Sequence, residues 1–247
     1  MSRYSTVILG GLVLAALASP AGAQAVVGQP APAFTLPDAS GAQESLASFK
    51  GKWVVLEWVN PECPFVKKHY GSANMQKLQK AYTAQGVVWL SIDSSAPGKQ
   101  GYMDGAQASA FVKEKGASPS ALLLDPQGTV GRAYGARTTP HMFIINPEGK
   151  VVYAGAIDDK PSTDTGDVAG AKNYVATALD EVMAGKPVTT TSSQPYGCSV
   201  KYLRGPSASL PRAGTRGTRS CGRPGPGGPG SRPRRGPRSR GAARPEP

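Results

Sequence analysis

The segment Trp53-Val54-Val55-Leu56-Glu57-Trp58-Val59 is near-continuously apolar, and four residues after it Cys63-Pro64 opens a helical stretch. A run this short and this apolar suits a strand covered on both faces, as in layered α/β folds. Proline is favoured at the first helical position, where its missing N–H would have had no partner anyway. The chain thus passes from a buried strand almost directly into a helix. The same alternation continues downstream. Gly71-Ser72 interrupts the first helix; Met75, Leu78 and Tyr82 mark a second from about Asn74 to Gln85, and Val87 to Ile92 is the next strand. A helix over 106–115, a strand at Ala121 to Leu124 and a helical turn near Val130 to Tyr134 follow. His141 to Ile145 and Val151 to Ile157 flank Asn146-Pro147-Glu148-Gly149, a strong hairpin turn. A last helix is expected from about Val168 to Met183. Upstream, Ala33 to Leu36 and Glu44 to Leu46 flank a turn-rich stretch, which predicts an N-terminal hairpin. The fold class is α/β, a central mixed sheet flanked by helices.

The two ends of the chain are of another kind. Arg3, the apolar stretch Val7 to Leu17 and Ala21-Gly22-Ala23 read as a signal peptide over residues 1–23 with an A-x-A cleavage site. A retained signal anchor is the alternative, although the stretch is shorter than the roughly 20 residues of a spanning helix. A periplasmic or secreted mature chain with no transmembrane segment is expected, in a compartment that permits disulfides. From Leu203 to Pro247 there are eleven Arg, no Lys, no aromatic and one acid, Glu246, so this stretch holds ten of the chain's twelve net positive charges. Its Gly, Pro, Ser and Arg cannot bury enough apolar surface to offset the entropy of ordering. Residues 203–247 therefore read as a disordered tail, and a shifted frame in GC-rich DNA would produce the same composition. A nucleic-acid arm would interleave Lys or aromatics, so no nucleic-acid partner is expected. Between the ends lie a domain at 26–186 and a Cys-bearing segment at 187–202.

Cys63 sits in Asn60-Pro61-Glu62-Cys63-Pro64-Phe65-Val66, and far downstream Thr138-Thr139-Pro140-His141 leads into a second apolar strand. A helix N-terminus lowers a thiol's pKa through its unpaired N–H groups, so Cys63 is the candidate nucleophile. Lys67 and Lys68, one turn on, would assist it, and Glu62 would oppose it. A cysteine at a strand-to-helix junction, paired with a distant Thr-Pro before another strand, resembles the active-site plan of the thioredoxin fold. It is most similar to the peroxiredoxin-like branch, the alkyl hydroperoxide reductase and thiol-specific antioxidant (redoxin) superfamily. The resemblance implies a thioredoxin-like fold, a cis Thr139–Pro140 bond beside Cys63, and a groove of Pro64, Thr139, Pro140 and His141 whose backbone edge pairs with extended substrate. Two departures stand out. Val66 replaces the second cysteine of Cys-x-x-Cys, so this is a single-cysteine motif variant. Asn60 and Leu56 replace the Thr and Pro of the peroxiredoxin motif, which puts peroxidase chemistry in doubt.

A second thiol, Cys198, follows the polar stretch Thr189 to Ser193, a linker that would let it swing back toward Cys63. It is either a resolving cysteine or half of a permanent disulfide worth about 5 kcal/mol in the chain-entropy model. Cys221, in the basic tail, is incidental. The function expected is that of an extracytoplasmic thiol–disulfide oxidoreductase acting on protein or small-thiol redox partners, with no cofactor and no resident metal. Thiol peroxidase is the nearest enzymatic alternative. A copper or zinc carrier using Cys63, Cys198 and His141, and a redox-inactive interaction domain, are the others. His69 reads as a solvated helix residue.

Overall fold

The computed structural model describes residues 24–203; the expected signal peptide, the expected tail apart from Leu203, and Cys221 lie outside them. A short hairpin, β1 (Thr35–Pro37) and β2 (Gln43–Ser45), comes first. The central strand β3 (Val54–Trp58) is buried along its whole length. It feeds α1 (Pro64–Gly71) and α2 (Asn74–Thr83), then β4 (Val88–Asp93), α3 (Gly105–Lys115), β5 (Ala121–Leu124) and α4 (Thr129–Tyr134). The two-residue β6 (Thr138–Thr139) precedes the hairpin of β7 (His141–Ile145) and β8 (Val151–Gly155). Helix α5 (Tyr174–Met183) and the two-residue β9 (Cys198–Ser199) complete the order. The five-stranded sheet runs β5-β4-β3-β7-β8, with β3 parallel to β4 and antiparallel to β7. This is a thioredoxin-like α/β arrangement, as the strand and helix order predicts.

Alternation along the strands divides the core in two. Val55, Trp89, Met142 and Ile144 face α1, α2, α3 and α5, whereas Val54, Leu56, Trp58 and Phe143 face α4 and the N-terminal hairpin. On the second face Trp58, Tyr134 and Phe143 form an aromatic triad with centroids 5.3–5.4 Å apart. Truncating Phe143 to Ala would cost about 3–5 kcal/mol.

Two segments differ from the sequence reading. The last helix begins at Tyr174 rather than near Val168, because Asn173 caps it by accepting from the Ala176 N–H at 2.9 Å, and Thr165–Gly170 forms a separate 3-10 turn. The polar stretch after α5 is no free tether. The Ala154 N–H donates to Thr191 O, the Ser193 N–H to Ala154 O, and Ser193 Oγ meets Tyr153 OH at 2.7 Å, which lays this stretch along β8.

Glu57, the one charged residue inside β3, is wholly buried. Its carboxylate accepts from Tyr70 of α1 at 2.8 Å, Gln79 of α2 at 3.2 Å, and Trp89 and Ser91 of β4 at 2.8 and 3.0 Å. Burial raises its pKa, against the pull of these four donors. Glu57→Ala, which strands all four donors in the core, is expected to lower the urea unfolding free energy by about 3–5 kcal/mol, and Glu57→Gln by less than half of that. A loss below 1 kcal/mol for the alanine variant would show the network to be dispensable.

Candidate active site

The register of the sheet builds the site. Trp58, the last residue of β3, lies opposite His141, the first of β7. The loop beyond β3 and the residues before β7 therefore meet at one end of the sheet. From that loop Cys63 becomes the N-cap of α1, with Pro64 next and its own carbonyl accepting from the Lys67 N–H at 2.9 Å. From the other side comes Thr139–Pro140, joined by a cis peptide bond. The Cys63 thiol donates to the Thr139 carbonyl at 3.0 Å.

Cys198 arrives at the same point from the C-terminal segment. β9 pairs antiparallel with β6, placing Cys198 opposite Thr139 and Ser199 opposite Thr138. Neither cysteine is in a disulfide. Burial opposes ionisation of Cys63, but it is outweighed by hydrogen bonds from the Thr139 hydroxyl, the Cys198 thiol and the Val66 and Cys198 N–H groups. The Cys63 thiol therefore sits below its usual value. Burial and the neighbouring Cys63 push Cys198 the other way, up to about 11. The two thiols are thus shifted in opposite directions, Cys63 toward ionisation and Cys198 away from it. Cys63 itself is completely shielded from solvent.

The neighbouring residues that the sequence brought into question have defined partners. Asn60 is buried; its Oδ1 accepts from the Glu62 N–H at 2.8 Å and its Nδ2 donates to Gln100 O at 3.1 Å. It shapes the loop before Cys63. Glu62 turns to the Gly101 N–H, at 3.1 Å. Lys68 is buried, with Nζ 2.7 Å from Lys160 O and 3.8 Å from Asp158 Oδ2, and so serves that pair.

His69 corrects the sequence reading. His69 is fully buried, not solvated: on α1 it faces the C-terminal segment, 3.0 Å from Tyr196 OH and 3.0 Å from Asn74 Nδ2. His141 does not turn its ring toward Cys63. On β7 it shares a face with Phe143, stacked at 4.6 Å, while Cys63 packs with the opposite face. Strand alternation decides this, and it removes the third ligand from a Cys63–Cys198–His141 metal site. Pro64, Thr139 and Pro140 do gather at Cys63. Tyr196 and Asp158 drew no attention in the sequence; the only local signal was an aromatic two residues before Cys198.

The AhpC/TSA family profile matches residues 27–154. The chain belongs to the AhpC/TSA family. Among curated relatives, the thiol-disulfide oxidoreductase ResA of Bacillus subtilis (strain 168) is 31% identical over 125 residues, covering 51% of this chain and 64% of the relative. ResA of Geobacillus thermodenitrificans is 30% identical over 125 residues, covering 51% of this chain and 66% of that protein. The match thus spans just under two thirds of these relatives' length. A hypothetical protein from Sinorhizobium meliloti 1021 has a similar solved structure, at 30% identity and a TM-score of 0.62, covering 73% of this chain and 96% of its own. An uncharacterized conserved protein from Geobacillus kaustophilus gives 26% identity and a TM-score of 0.64, covering 73% and 94%. No helix among the described residues is long and apolar enough to cross a membrane.

Burial, helped by the positive Arg137, depresses His141 to about 4. The fold keeps the ring neutral, whereas an unfolded chain protonates near 6.5. The unfolded state therefore binds the extra proton between these values, and stability falls as pH drops from about 6.5 toward 4. His141→Asn can still accept from the Arg137 N–H, which reaches His141 Nδ1 at 3.3 Å, and it cannot titrate. Relative to the wild type, this variant should gain about 2 kcal/mol of urea stability between pH 7.5 and pH 5. A difference that does not change with pH would show that the folded state admits a charged ring.

Proposed function

We propose that the chain is an extracytoplasmic thiol–disulfide oxidoreductase of peroxiredoxin-like type, with Cys63 as attacking thiol and Cys198 as resolving thiol. The observation that carries this reading is the asymmetry of two free cysteines at one place. Cys63, at a helix N-terminus, has its pKa lowered, while Cys198, facing it across Thr139, has its own raised. Membership of the AhpC/TSA family and the similarity to ResA support the same chemistry.

The reaction runs in two exchanges. The Cys63 thiolate attacks one sulfur of a partner disulfide, forming a mixed disulfide and expelling the first partner thiolate, which takes up a proton. The Cys198 sulfur, deprotonated as it attacks, then displaces the second partner thiol from Cys63. Two electrons pass to the partner, and the chain is left with a Cys63–Cys198 disulfide. Run in reverse with a dithiol donor, the sequence restores the reduced pair. The raised value of Cys198 keeps it protonated until Cys63 is consumed, which sets the order of events. Peroxide reduction is the weaker reading. Asn60, at the position of the peroxidase threonine, has its side chain engaged with backbone groups.

With oxidised glutathione or a peptide disulfide, Cys198→Ser should accumulate a mixed disulfide on Cys63, read by mass spectrometry after acid quench. Cys63→Ser should lower the exchange rate at least 100-fold. A purely structural pair would instead lose similar stability on either substitution and trap no adduct, and that result would sink the assignment.

A further inference from the structure

The C-terminal segment does more than bring a thiol. Along its course it forms backbone hydrogen bonds with the domain: the Val200 N–H donates to Arg137 O at 3.0 Å, and the Ala96 N–H to Lys201 O at 2.8 Å. At its far end Tyr202 donates to Ala136 O at 2.6 Å, and a Cβ on Gly131 would lie 2.5 Å from the tyrosine oxygen. At its centre β9 fills the free edge of β6, the edge beside the cis proline on which an extended partner peptide would pair. Gly197 permits that approach. Its φ is +129°, and a Cβ there would fall 2.1 Å from the Thr139 carbonyl oxygen.

Just before Gly197 the segment is clasped from beneath. The Tyr196 hydroxyl donates to Asp158 Oδ1 and lies 3.0 Å from His69 Nε2. With His69 neutral and protonated on Nε2, Asn74 donates to His69 Nδ1, His69 donates to Tyr196, and Tyr196 donates to Asp158; every partner is used. The other Asp158 oxygen is buried without a hydrogen bond, 3.8 Å from Lys68 Nζ. The Tyr196 ring also packs on Phe65, with centroids 5.7 Å apart. Lys68, His69 and Phe65 all belong to α1, the helix that Cys63 caps. One helix therefore both stabilises the attacking sulfur and grips the segment that carries the second.

We propose that Tyr196, held by Asp158 and His69, is a positioning residue that seats residues 196–199 on the β6 edge as an internal stand-in for a partner peptide. An external cysteine peptide must then compete with Cys198 for Cys63. This rests on the reading of Cys63 and Cys198 as the exchanging pair. In the seated state Cys63 is covered and resolution is immediate. In the released state Cys63 meets the partner and Cys198 is out of reach.

The test separates the two exchanges. Reduced full-length protein is mixed with oxidised glutathione, quenched with acid at intervals, and the glutathione–Cys63 adduct and the Cys63–Cys198 disulfide are each followed by mass spectrometry. Tyr196→Phe keeps the ring and removes the hydroxyl. Gly197→Ala blocks seating without touching the buried cluster, so it serves also where the first variant fails to fold. In variants with wild-type circular dichroism, the first step should quicken at least 5-fold and the second slow at least 10-fold, with the adduct accumulating. Both steps within 2-fold of wild type, or both moving the same way, would overturn the proposal. So would an opposed shift in Gly197→Ala alone when Tyr196→Phe is folded, since that would leave the clasp without a role. If the wild-type protein itself forms no Cys63–Cys198 disulfide, the underlying reading fails, and this inference with it.

Discussion

A single buried carboxylate organises this domain. Glu57, next to last in the central strand, draws hydrogen bonds from α1, α2 and β4, so the two helices that follow β3 are fixed to the sheet by polar contacts as well as by apolar packing. A buried charge is tolerated only where it is well partnered, and its directional bonds restrict how the neighbouring elements can slide. Helix α1 carries Tyr70 to Glu57 and Cys63 at its start. The position of the Cys63 sulfur is therefore tied to this buried polar network.

The site follows from that frame with few additional parts. The antiparallel pairing of β3 with β7 brings Thr139–Pro140 to Cys63, and the C-terminal segment contributes the second thiol across β6. The two sulfurs then differ by environment alone. Burial raises both; for Cys63 a helix start and several donors outweigh it, whereas for Cys198 the neighbouring Cys63 adds to it. Opposed shifts of this kind are what separate roles for the two thiols would require.

Much of this was legible in the sequence because its signals are local. The near-continuous apolar run of β3, the proline after Cys63 and the turn residues between β7 and β8 each announce an element through the chemistry of a few adjacent residues. The start of α5 was misplaced because the Asn173 cap competes with an equally helical-looking stretch before it. His69 was misread for a different reason. Whether a histidine is solvated or buried depends on which strand or segment lies over it, and the cover for His69 comes from Tyr196, 127 positions away. Asp158, which accepts from Tyr196, had no distinguishing neighbour in the chain.

The pairing of β6 with β9 has one more consequence, for the chain's dealings with its own kind. A bare β6 would present unpaired N–H and C=O groups beside a cis proline and the Cys63 thiol, the features of an edge that recruits foreign strands. β9 satisfies those groups from within. It thereby discourages edge-to-edge association between copies at the place where the two free thiols lie.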